Sequence, residues 1–190
     1  MTLRLDLLSL LSEQLNDDQS AMEHAEALLA VHAENHSVRG AILGFCEQSP
    51  DSRLVLAPGL CDAYIDGEEP ELADRCLTLL SEVQEEDELA HTLRRQLTLR
   101  RDQLQDNVRA IQTSYALVDC RPTDVTNYED AAHLGKELGE PHITETVTVL
   151  STTVMANATA DSNWAPLALR VARYAAEHKD PVRAVDLYRT

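Results

Sequence analysis

The strongest constraint in this chain is a periodicity. Apolar residues return at intervals of three, four and seven almost from end to end, the signature of helices with one buried face. Leu3, Leu7, Leu8, Leu11 and Leu15 open the pattern, and Ala21, Met22, Ala25, Leu28 and Leu29 follow. Val38, Ile42 and Phe45 make a third stripe. Leu54, Leu56, Leu60 and Tyr64 make a fourth that ends at Asp66-Gly67, and Glu71 to Leu80 a fifth. Residues 86–118 hold neither Gly nor Pro, and Leu97, Leu104, Val108, Ile111, Tyr115 and Val118 keep the spacing. One long helix is expected there, with Arg101-Asp102 as the place where a turn would split it. Heptad phasing would set Arg94 and Arg101 on the seam, which disfavours a coiled coil and favours packing in an intramolecular groove.

Punctuation supports the helical reading. Asn16-Asp17-Asp18 breaks the first helix and offers a cap for the second, Ser37 is a cap candidate for the third, and Ser49-Pro50-Asp51 stops it. Pro58 is tolerable only near the start of the fourth helix. After the interruption Cys120-Arg-Pro-Thr-Asp124, helices are expected at about 126–138, 163–177 and 181–189. Pro181 stands at a first helical position. Residues 143–154 are rich in β-branched side chains and read as strand on propensity alone. A lone strand has no partner here, so helix is expected. The fold class is therefore all-α, with about nine or ten helices.

A length of 190 residues suits one domain or one array of repeats, with possible sub-units 1–120 and 121–190. The 33 acids against 16 Lys and Arg leave a net charge of −17, which excludes a generally basic binder of nucleic acid or anionic membrane. With 44% apolar residues but one Phe, one Trp and five Tyr, the core must be aliphatic. No stretch reaches the roughly 18 apolar residues of a membrane span. Asp6 interrupts the apolar start, against a secretory signal. Cys46, Cys61, Cys76 and Cys120 have no CxxC spacing and read as buried thiols of a reducing, cytoplasmic compartment.

Internal repetition can be tested on helix pairs. Ala57, Leu60, Cys61 and Tyr64 on one helix face Ala73, Leu77 and Leu80 on the next. The same frame takes Leu5, Leu8 and Ser9 with Ala21, Ala25 and Leu28. It also takes Ala131, Leu134, Gly135 and Leu138 with Val147, Ser151 and Val154, and Ala168, Val171, Ala172 and Ala175 with Ala184 and Tyr188. Bulky and small residues alternate where helices cross closely. This pattern resembles the tetratricopeptide repeat (TPR), without its Trp and with Gly in one unit only. The resemblance implies helical hairpins stacked as a TPR-like α-solenoid, whose concave face recognises a partner peptide or helix. The chain stops inside the second helix of such a unit, so a fragment of a longer array, or dimerisation through that open end, is consistent with it.

Chemistry-bearing motifs are sparse. His32 and His36 lie four apart, but Glu34 is misplaced for an HExxH site and Asn35-His36-Ser37 reads as a helix boundary, so no metal or other cofactor is expected. No phosphate-cradling loop or nucleophile elbow is present, so no enzyme is expected. Charge is more informative. Residues 66–88 carry ten acids against Arg75 alone, and Arg94, Arg95, Arg100 and Arg101 follow. Those arginines either pair within the chain or dock an acidic partner. In the repeat frame Lys136 and Arg173 fall at equivalent inner positions, where they would hold a partner's carboxylates. Partner-binding candidates are thus Lys136, Arg173, Arg94 and Arg101. The expected function is a protein–protein interaction scaffold or adaptor. The alternative is a helical regulatory module that dimerises through its C-terminal end.

Overall fold

The computed structural model describes residues 2–11, 17–158, 164–178 and 180–189. The expected positions Leu15 and Asn16, and the side chains of Leu3 and Ser9, lie outside that description. The described regular structure is helical: α1 Thr2–Ser9, α2 Asp18–His32, α3 His36–Gln48, α4 Pro50–Asp66, α5 Pro70–Ser81, α6 Glu86–Thr98, α7 Asn107–Cys120, α8 Val125–Leu138, α9 Glu140–Asn157, α10 Ala165–Glu177 and α11 Pro181–Arg189. Consecutive helices pack as pairs, most extensively α4 on α5, α10 on α11, α7 on α8, α3 on α4 and α8 on α9, so the all-α architecture of consecutive helix pairs is as expected. Contacts divide the chain into two compact units, Met1–Thr92 and Leu93–Thr190, with the division inside α6.

The first unit is built on the α4–α5 pair. Ala57, Leu60, Cys61, Tyr64, Ala73, Leu77 and Leu80, the seven positions of the best repeat frame, are all buried. A fully buried Leu or Val contributes roughly 2 kcal/mol of transfer free energy. Asp17 accepts the Ser20 N–H at 3.1 Å to start α2, and Asn35 (not Ser37) accepts the Val38 N–H at 3.2 Å to start α3. Pro50 and Pro70 sit in first turns, where the missing N–H costs nothing. Pro58 is the exception. Because α4 begins at Pro50, Pro58 lies in its middle rather than at its start. Arg39 is buried, donates to the Ala33 carbonyl at 2.9 Å, pairs with Glu69 and lies over the Tyr64 ring, tying the end of α2 to the α4–α5 turn. Leu7, expected on the inner stripe of α1, is exposed, whereas Leu8 is buried.

The second unit corrects the expectation of one long helix over 86–118. After Thr98 the chain widens into a π-helical turn, Leu99–Gln103, and Gln105 takes a left-handed φ of 52°. Asp106 then accepts the Arg109 N–H at 3.0 Å and starts α7 afresh. The Asp106 N–H donates to the Arg100 carbonyl at 2.8 Å, so the break is itself hydrogen-bonded. This division raises the helix number to eleven among the described residues. The β-branched segment is helical, as expected, within α9. Its hydroxyls turn back on their own helix: Thr144, Thr146 and Thr148 each donate to the carbonyl four residues earlier, as does Ser151. Gly139, at φ 94°, makes the turn from α8 to α9 that a side chain would strain. Gly135 permits their close approach, since a Cβ there would stand 2.6 Å from Thr146 Oγ1. Tyr188 departs from the repeat frame: it is 57% exposed on the outer face of α11.

Candidate functional site

Within the second unit, α8 and α10 run side by side over α9 and leave a groove between them. Its cavity is about 220 Å³. Leu150 of α9 forms the floor, with Tyr128, Ala132, Val171 and Tyr174 as apolar walls. The frame explains this placement. Both α8 and α10 are first helices of their pairs, and Ala131, Leu134, Ala168 and Ala172 are turned into the core. That rotation brings the residues beside them to the rim. Lys136 and Arg173, singled out from sequence, therefore line one groove.

The rim is a pattern of charges. Glu129 pairs with Arg170 at one end, and Lys136 Nζ lies 3.4 Å from Glu177 Oε2 at the other. Each pair joins a residue of α8 to the one 41 positions later in α10, so the two helices run in the same direction. Lys136 also stands 5.3 Å above the Tyr174 ring, a cation–π contact. Between the pairs lies Arg173, exposed and without an ion pair among the described residues. Tyr174 donates to the Ala132 carbonyl at 3.3 Å. Its phenol is pushed up to about 12, chiefly by burial and then by the neighbouring Tyr115, so it stays a neutral donor.

Arg94 and Arg101 lie elsewhere in the unit. Arg94 pairs with Asp130 and bonds Asn127, and its guanidinium is 3.8 Å from Asp124. Asn127 is fully buried and donates to the Leu117 carbonyl at 2.9 Å and to Arg121 at 3.3 Å, closing the end of α7. Arg94 thus joins α6 to α8. Arg101 bonds Asp102, holding that carboxyl below its ordinary range, and faces a polar hollow with Asp130, His133 and Glu137. Neither arginine lines the groove.

No protein-family model matches this chain. No curated protein matches it either. Solved structures similar to it include a Podosopora anserina protein with nearly identical TPR-like repeats, provisionally designated a kinesin light chain. That protein is 14% identical, with a TM-score of 0.41 over 98% of this chain and 90% of that one. A variant of the same protein gives 14% identity and a TM-score of 0.40 over the same shares.

Other sequence candidates are placed as follows. Cys46, Cys61 and Cys76 are buried free thiols, and burial pushes Cys46 and Cys76 up. His36 lies 3.2 Å from Glu69, and among the described residues no group of three or more potential ligands could hold a metal ion. No described helix is long and apolar enough to cross a membrane. Sequence reasoning missed Glu129, Arg170, Tyr174 and Glu177. Helical spacing could have found Glu129, Arg170 and Glu177, because each lies one or two turns from Lys136 or Arg173 on the same rim, whereas Tyr174, next to Arg173, is a buried wall of the groove.

Proposed function

We propose that this protein is a non-enzymatic interaction scaffold that holds a partner segment in the α8–α10 groove. One observation carries the reading: Lys136 and Arg173, remote in sequence, line a single apolar-floored cleft in which Arg173 has no ion pair among the described residues. An apolar floor with polar groups at its rim is the usual composition of a ligand cleft. Arg173 supplies an unengaged guanidinium fork for a carboxylate, and Lys136 becomes a second when Glu177 gives way to the partner. The partner is then a protein segment carrying acidic side chains. Arg94 supports the reading indirectly by holding α6 on α8. Arg101 lies outside the groove and serves as a control. Recognition requires no bond to be made or broken.

The test is a pull-down from cell extract with mass spectrometry, using the wild-type chain, the double variant Lys136→Ala/Arg173→Ala, and Arg101→Ala. Loss of two charged hydrogen bonds should reduce capture of the specific partner about tenfold or more, with Arg101→Ala near wild type. Equal capture by the wild-type chain and the double variant would remove the groove from consideration.

A further inference from the structure

The α8–α10 groove is barred at both ends. Glu129 pairs with Arg170 across one end, and Lys136 with Glu177 across the other. The two pairs stand two turns apart on each helix, about 10 Å. The helices close the long sides and Leu150 the floor. The space is therefore a well rather than a channel. An extended chain lying along it has to part at least one ion pair, whereas a small molecule has only to enter from above.

The walls decide what fits. The cavity of about 220 Å³ exceeds the roughly 150 Å³ in which an apolar lining holds a benzene ring. Tyr128 and Tyr174 offer aromatic surface, which a further ring meets edge-on or offset. Of the three cations on the rim, Arg170 and Lys136 are engaged, and Arg173 has no ion pair among the described residues. Its planar fork matches one carboxylate, with two parallel hydrogen bonds. A doubly charged group such as a phosphate would meet more repulsion from Glu129 and Glu177 than a single carboxylate does.

We infer that the closed groove binds a small aromatic carboxylate, its ring in the well between Tyr128 and Tyr174 and its carboxylate on Arg173. The ligand and an acidic partner segment then compete for Arg173. That competition rests on the function proposed above, whereas the binding itself does not. Ligand-detected NMR on the whole chain at low salt tests it, with 3-phenylpropionate as the probe. Binding should show at millimolar concentration or below, as expected for so small a ligand. Arg173→Ala should weaken it about tenfold, and so should replacing the probe by the uncharged 3-phenylpropanol. Propionate, which has the carboxylate without the ring, should bind at least about tenfold more weakly. Ala132→Leu fills the well from its wall and should abolish binding. Should that variant lose its helical circular dichroism, the exposed change Arg173→Ala carries the test. Absence of binding at millimolar concentration overturns the inference, as does equal binding by Arg173→Ala or of 3-phenylpropanol. In the pull-down, saturating probe should release the specific partner. A partner that stays captured overturns the competition, and the NMR result, which needs no partner, is judged apart from it.

Discussion

At the scale of single residues, the tightest constraint is the space around Gly135. A Cβ there would stand 2.6 Å from Thr146 Oγ1 and 3.1 Å from the Tyr174 hydroxyl. Thr146 has little room to yield, because it is fully buried, donates to the His142 carbonyl and is bonded to Tyr115. Gly135→Ala should therefore destabilise the second unit by about 1–3 kcal/mol despite the better helix propensity of Ala, read as a lowered urea midpoint. No loss of stability would mean that α8 and α9 separate freely. This close approach was legible in the sequence as the small residue of the TPR-like frame. So was the burial of Ala57, Leu60, Cys61 and Tyr64, because small and large apolar residues at helical spacing leave few packings. Tyr188 fitted the frame equally well and proved exposed. A frame describes which face a residue is on, not whether another helix arrives to cover it.

At the scale of elements, the division of α6 from α7 was only half legible. Arg101-Asp102 marked the neighbourhood, but the break is made by Gln105 in a left-handed conformation followed by the Asp106 cap. Asp106 with its N–H donor three residues later is a recognisable start signal. The preceding π-helical turn has no composition of its own, so unbroken apolar spacing concealed it. A non-glycine residue at φ 52° is held at a cost of about 1 kcal/mol or more. Gln105→Gly should then raise the stability of the second unit by about that amount, whereas within a continuous helix the same change would lower it by about 1 kcal/mol. The sign of the shift in the urea midpoint separates the two arrangements. For α9 propensity pointed to strand, yet the helix holds because its buried hydroxyls find acceptors, Thr146 and Ser151 one turn back and Thr153 on Asp119 of α7. The groove was legible at Lys136 and Arg173 and hidden at their partners. Pairing across helices depends on a register that local sequence does not state.

At the scale of the whole molecule, the charge is unevenly shared. Residues 1–92 carry 4 cations against 20 acids and residues 93–190 carry 12 against 13, so the first unit holds −16 of the net −17. Composition alone had shown an acidic protein; the division into units shows an acidic half beside a nearly neutral one. Self-repulsion should weaken the first unit selectively when counterions are scarce. The Debye length is about 30 Å at 0.01 M salt and shrinks to a few ångströms near 1 M. Trp164 packs against the core of the second unit and is the only Trp in the chain, so its fluorescence follows that unit. In urea at low salt, helical circular dichroism should begin to fall before the Trp164 signal changes, and added salt should bring the two curves together. Coincident curves at low salt would show that the units unfold as one.

The two ion pairs across the α8–α10 groove also work as a check on alignment. Glu129 meets Arg170 and Lys136 meets Glu177, so the order of signs reverses from one end to the other. Were α10 displaced by one turn in one direction, Lys136 would come opposite Arg173, cation against cation. Displaced by three residues in the other, Glu129 would meet Arg173 and Lys136 would come opposite Asp180, just past the end of α10, so unlike charges would face each other again. Apolar side chains such as Val171 and Leu150 tolerate the first slip far better than these charges do. The groove's charges therefore act as a ratchet: they oppose a slip in one direction and not in the other, and Arg173 is the cation that the observed alignment leaves over.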